Sequence, residues 1–165
     1  MDLTTRQPLE AKDLAVKFKI PDPNFEARVR ASFTRQKLMG VLGAELTRLA
    51  PGEAEISLPY RDDLTQQHGF VHAGIIATIA DTACGYAAFS LMPAEMAVLT
   101  VEYKINLMAP AVGEFFIARG RVLRPGKTLS VCTAEVMAHH QGKAKMVATL
   151  LATMMALPNQ AGLTG

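Results

Sequence analysis

The sequence predicts an α+β fold in which an antiparallel sheet wraps around one long central helix. Three observations lead there. Residues 73–92 are so uniformly apolar that a helix built from them has no wet side and belongs inside the protein. From residue 100 onward, apolar and polar residues alternate in strand-length runs. Helices and strands do not alternate regularly along the chain, which argues against a doubly wound parallel sheet. The 165 residues, half of them hydrophobic, suit one globular domain. We expect that domain over residues 25–157, after an irregular leader at 1–24 and before a loose tail at 158–165.

The leader ends in "IPDPN", where two prolines signal a turn and Asn24 can cap a helix starting at Phe25. "FEARVRASFTRQKLMGVL" sets Phe25, Val29, Phe33 and Leu38 near helical spacing and predicts an amphipathic helix ending near Gly40. "GAELTRLA" and "PGEAEISLPY" read as two strands joined at Pro51-Gly52. In the second, Glu53, Glu55 and Ser57 alternate with Ala54, Ile56 and Leu58, giving one wet face and one dry. A polar loop, "RDDLTQQHGF", leads into the apolar helix, which ends before Pro93. "TVEYKINLMAP" predicts a strand with Val101, Tyr103, Ile105 and Leu107 on one face and Thr100, Glu102, Lys104 and Asn106 on the other. "EFFIARGRVLR", "TLSVCTAEVMAH" and "AKMVATLLATMMAL" complete the sheet, with turns at "PGK" and "HQGK".

Composition excludes several function classes. Net charge is +2 and no basic run exceeds two residues, which argues against a nucleic-acid partner. Cys84 and Cys132 form no C-x-x-C pair and no Cys/His cluster with zinc spacing, so we expect no metal. Richness in Ala, Gly and Thr, the acid at 81 and the lack of basic flanks argue against residues 73–92 crossing a membrane. "MDLTTRQPLEAKDL" is no signal peptide, and a cytoplasmic location is the default expectation.

The apolar run holds a single carboxylate, Asp81, with no other charge between His72 and Glu95. On a helix the stripe it belongs to, at spacings of three, four and seven residues, is Gly74, Thr78, Gly85 and Ala88. Small residues let a ligand or another backbone approach, and Gly inside a helix costs about 1 kcal/mol relative to Ala. A buried acid without a partner costs several kcal/mol or takes up a proton. A pocket opening on this stripe explains both features. The helix start, "VHAG", offers free N–H groups and a favourable dipole for an oxyanion. Asp81 lies about 12 Å further along the axis, too far to share one carbonyl with the start of its own helix.

"HAGIIATIADTACGYAA" followed by "LTVEYKINLMAPA" resembles the hotdog-fold acyl-CoA thioesterases of the phenylacetate-degradation (PaaI-like) group, over roughly residues 40–156. The resemblance implies hydrolysis of an aryl or medium-chain acyl-CoA in a homodimer or homotetramer, with no cofactor. It implies that Asp81 is general base or nucleophile, and that the Ala73 N–H faces the thioester oxygen. His72 would orient the loop or approach the thioester, Gln66 would be the polar amide fifteen residues before the acid, and Thr100 would hold the attacking water. It pairs Asp81 with the helix start of the opposite subunit. From the small-residue stripe we expect Gly74 and Gly85 to line the substrate path, and the resemblance implies that the turn of Arg124, Gly126 and Lys127 touches the coenzyme A phosphates. The chain departs from the family pattern twice, with His-Ala-Gly for His-Gly-Gly and Gln66 where many relatives carry Asn; Gln67 is the adjacent alternative. An enoyl-CoA hydratase built on Asp63 and His68, or a non-catalytic acyl-CoA-binding protein, are the rival readings.

Overall fold

The computed structural model describes residues 18–162. Six strands form one antiparallel sheet in the order β1-β2-β4-β5-β6-β3: β1 (Glu45–Ala50), β2 (Glu53–Pro59), β3 (Met96–Leu107), β4 (Phe115–Arg124), β5 (Leu129–His140) and β6 (Lys143–Pro158). Two helices, α1 (Phe25–Arg35) and α2 (Lys37–Leu42), precede the sheet. The apolar run forms α3 (Ala73–Phe89), which packs against β2 through β6 and buries most of its length. The expected wet and dry faces of β2 are seen, with Ala54, Ile56 and Leu58 in the core. Among the described residues no helix is long and apolar enough to cross a membrane. Residues 1–17 of the leader and 163–165 of the tail lie outside the described residues.

Sheet and helix approach each other closely at Gly120 in β4. A Cβ built there would lie 2.3 Å from the carbonyl carbon and oxygen of Ala83 and 2.6 Å from the Cys84 nitrogen. Glycine is therefore the side chain that lets β4 rest directly on the backbone of α3. Cys84 and Cys132 are free thiols buried in this layer, and burial pushes Cys132 up to about 12 and Cys84 higher still.

Two elements differ from expectation. The first helix does not run through to Gly40. Gln36 takes an extended conformation, φ −72° and ψ 93°, and splits it into α1 and α2. An extended residue adds no helical rotation, so the apolar face shifts: Met39 is 2% exposed, whereas Leu38 is 52% exposed. α1 is fixed at the far end of α3 by Arg28. Its Nη2 donates to the carbonyls of Phe89 (3.3 Å) and Met92 (2.7 Å), and its Nε donates to Asp22 Oδ2 (2.8 Å). A cation at the C-terminal end of a helix satisfies carbonyls that have no intrahelical partner. The Arg28 hydrogen bond, helped by the Asn24 N–H, holds the buried Asp22 carboxyl below the usual carboxylate range.

The second difference is in β3. Its register against β6 shifts between Thr100 and Glu102, leaving Val101 as a bulge. Thr100 pairs with Met154 and Tyr103 pairs with Ala152, and both β6 partners point into the core. Thr100 therefore shares the helix-facing side with Tyr103, Ile105 and Leu107, not with Glu102 and Lys104 as strict alternation predicts. β3 is an edge of the sheet and carries exposed Leu99, Val101, Tyr103 and Leu107.

Candidate active site

The start of α3 is assembled from the polar loop before it. Gln66 and Phe70 close the loop through Gln66 N–H to Phe70 O (2.8 Å) and Gly69 N–H to Gln66 O (2.9 Å). Gly69 takes φ +79°, a left-handed conformation that costs glycine little. The chain is then tied down by Val71 N–H to Ala111 O and His72 N–H to Leu64 O. His72 is the N-cap: its Nδ1 accepts from the Gly74 N–H at 2.9 Å. That bond requires the ring proton on Nε2. A Cβ at residue 74 would meet His72 Nδ1 at 3.1 Å, so Gly74 makes room for the capping ring.

The cap leaves one donor over. Ile75 and Ile76 N–H both reach His72 O, and Gly74 is held by the His72 ring. The Ala73 N–H has no acceptor among the described residues. Ala73 lines a cavity of about 400 Å³ together with Gln66, Phe70, Leu107, Met108 and Val147, among others. Gln66 is half-buried and its Oε1 accepts from the His68 N–H, which leaves the amide NH₂ as donor. Gln67 is exposed, absent from the lining, and its amide lies against the His68 ring. Between the two glutamines, only Gln66 shares a cavity with Ala73.

Asp81 lies two turns on, beside a different cavity of about 260 Å³ whose lining includes Ser32, Arg35, Gln36, Gly85 and Thr100. Thr100 Oγ1 donates to Asp81 Oδ1 at 2.8 Å, a contact that the β3 bulge makes possible. Burial pushes the Asp81 carboxyl above the usual carboxylate range, and the Thr100 hydrogen bond pulls against it. Gly85 lines the same cavity with nothing within 4 Å of where a Cβ would sit. Gly85→Ala is therefore expected to stabilise the fold by roughly 0.5–1 kcal/mol through helix propensity while narrowing the cavity. Thermal denaturation beside steady-state kinetics checks both halves: a higher Tm with a raised KM.

Within one subunit, then, Asp81 and Ala73 line separate cavities. The turn after β4 stands apart from both: Arg124, Gly126 and Lys127 line neither. The Gly126 N–H donates to Ser130 Oγ at 3.3 Å, and a Cβ there would lie 2.1 Å from Leu129 O, so the turn doubles back tightly. Ser130 faces Thr100 across β6, both paired with Met154, which sets this turn at the Asp81 end of the sheet. The rival pair does not form a site: Asp63 is bound to Arg61 at 2.6 Å, His68 is exposed, and both lie outside these cavities.

Comparisons with known proteins agree with this architecture. A family model described as the thioesterase superfamily matches residues 68–145. A thioesterase family protein from Silicibacter pomeroyi is 52% identical, covering 82% of this chain and 99% of that one, with a TM-score of 0.81. The chain belongs to the thioesterase superfamily. As a thioesterase it is a thioester hydrolase, and its fold is the expected hotdog, a sheet wrapped around α3. Acyl-coenzyme A thioesterase 13 of Homo sapiens is 27% identical over 119 residues, 70% of this thioesterase and 83% of the human protein. The Escherichia coli PaaI protein from the phenylacetic acid degradation operon shares the fold, with a TM-score of 0.75 at 20% identity over 86% of this chain and 99% of that one.

Sequence reasoning missed the lining that α1 gives the Asp81 cavity. Ser32 and Arg35 read only as polar positions of an amphipathic helix, and the one available signal, their placement on one side of α1, is common to any surface helix.

Proposed function

We propose that this thioesterase hydrolyses acyl-CoA thioesters, with aryl or medium-chain acyl groups, at a site shared by two subunits. The observation that carries the reading is the split: an acid–threonine pair lines one cavity, and Ala73, whose helix-start N–H is unpaired, lines another with Gln66. Neither half suffices for the chemistry. Brought together across a subunit interface, they form a complete one. The exposed apolar edge strand β3 is the surface we assign to that interface, in a homodimer or a homotetramer, because such edges are normally paired or covered.

In this reading the Ala73 N–H and the Gln66 amide polarise the thioester carbonyl and stabilise the oxyanion. Thr100 positions a water against Asp81 of its own subunit, and this pair faces the Ala73 N–H of the other subunit. Asp81 accepts a proton as the water oxygen bonds to the acyl carbon. The C–S bond then breaks, and the proton passes to the thiolate of coenzyme A, leaving a free acid. Direct attack by Asp81, with water releasing the acyl group from the mixed anhydride, yields the same products. Arg124 and Lys127, at the Asp81 end of the sheet, take the coenzyme A phosphates. The test is free-thiol release over a panel of acyl-CoA thioesters, with sedimentation to count subunits. No thiol release from any member, or an active monomer, would falsify this function or its shared site, respectively.

A further inference from the structure

The residue whose N–H faces the carbonyl in the reading above is an alanine, and its methyl group has no part in that chemistry. The place of the methyl follows from covalent geometry. Two bonds of about 1.5 Å each separate the Ala73 Cβ from its nitrogen, and an accepted carbonyl oxygen sits about 2.9 Å from that nitrogen. An oxygen held by this N–H therefore lies within about 5.5 Å of the methyl carbon. Ala73 is the first residue of α3. There the N–H points out of the helix start, and the Cβ tilts toward the same end. Donor and methyl stand on the same side, toward an incoming substrate.

Neither is free to move away. Alanine has no side-chain rotamer through which to relieve a clash, and the backbone is pinned on both sides. The Gly74 N–H is held by the His72 ring at 2.9 Å, and the Ile75 and Ile76 N–H groups by His72 O. Two residues before Ala73, the Val71 N–H donates to Ala111 O at 3.1 Å. Val71 and Ala111 both line the Ala73 cavity and are 3% and 7% exposed. That bond ties the loop before α3 to the segment after β3, so the two walls are held together close to the helix start.

Of the two groups on a thioester carbonyl carbon, the sulfur is common to every acyl-CoA. Only the α-carbon of the acyl group varies. A branch there adds bulk beside the oxygen, where the Ala73 methyl already stands.

We propose that Ala73 is a specificity-determining residue whose methyl admits acyl groups with an unbranched α-carbon and rejects α-branched ones. The proposal rests on the thioesterase reading above and narrows its substrate class to acyl-CoA thioesters with a CH₂ group next to the carbonyl.

The test uses isomeric pairs of equal carbon count, butyryl-CoA against isobutyryl-CoA and hexanoyl-CoA against 2-methylpentanoyl-CoA. Wild-type protein is expected to show kcat/KM at least tenfold higher for the unbranched member, the lower end of the roughly 10–200-fold that one methylene is worth in a pocket. Ala73→Gly keeps the N–H and removes the methyl, and is expected to lower each ratio about tenfold. A general loss of rate or stability in that variant falls on both members of a pair and cancels in the ratio. Ala73→Ser keeps a Cβ and is expected to hold or raise the ratio. A wild-type ratio near one, an unchanged ratio in Ala73→Gly, or a ratio near one in Ala73→Ser overturns the assignment. If wild type hydrolyses no acyl-CoA, the hydrolysis proposed above fails, and calorimetric Kd values of the same pairs decide the role of the methyl. Binding of the unbranched member about tenfold tighter, lost in Ala73→Gly, then keeps the assignment. Equal Kd values overturn it.

Discussion

Asp81→Asn is expected to lower kcat/KM for acyl-CoA by about 10²–10⁴, the usual contribution of a positioned general base. The amide keeps the size of the side chain and can still accept from Thr100, so the loss reports chemistry and not collapse. Stability is expected to move the other way. A carboxyl whose folded pKa is raised binds more protons folded than unfolded between the two pKa values. Stability therefore falls as pH rises through that window, and the ionised form remains a burden above it. Removing the charge removes that burden, so the variant gains on wild type as pH rises from about 4 towards the folded pKa. The acidic limb of the kcat/KM profile belongs to the same group: activity falls as pH drops through a value above the roughly 3.9 of an ordinary aspartate. Thiol release across pH and a urea titration at two pH values give all three results. A variant as active as wild type would remove Asp81 from the mechanism.

Gly120→Val is expected to be the most damaging single substitution for the fold, and Gly120→Ala the milder form of the same injury. The new Cβ meets the carbonyl of Ala83 at 2.3 Å, and a helix backbone cannot rotate aside as a side chain can. Either α3 lifts from β4 or the strand bends. Overpacking of this kind costs about 1–3 kcal/mol, and more where backbone must move. A domain of this kind holds only about 5–15 kcal/mol in all. Ala83 is also two residues from Asp81, so a lifted helix carries the acid away from Thr100. Folded Gly120→Ala is therefore expected to be slower as well as less stable. An unchanged urea midpoint for Gly120→Val would contradict the close packing of β4 on α3.

The parts of this protein that were legible in the sequence are those governed by local period. The buried helix shows as a long apolar run, β2 shows as a strict alternation from Glu53 to Leu58, and Asp81 stands out because nothing near it is charged. The parts that were not legible depend on what a segment touches. The break at Gln36 lies in a stretch with good helical spacing, and α1 before it is anchored to the end of α3 through Arg28, a contact 61 residues away in the chain. The bulge at Val101 leaves β3 looking perfectly alternating; only the pairing with β6 reveals the slip. For the same reason the position of Thr100 beside Asp81 could be expected from resemblance but not from the strand's own pattern. Arg35 was invisible because an arginine near the end of a surface helix is commonplace until the opposite wall is known.

The slip at Val101 makes the length of β3 a matter of odd and even. The two halves of the strand are out of phase, and the site occupies the point where the phase changes. Gaining or losing two residues there would leave every side chain on its side of the sheet. Gaining or losing one would trade the faces of one half against the other, turning Thr100 outward or Tyr103, Ile105 and Leu107 with it, while the core composition stayed the same. The strand thus tolerates many changes of residue type but is unforgiving of a change in count.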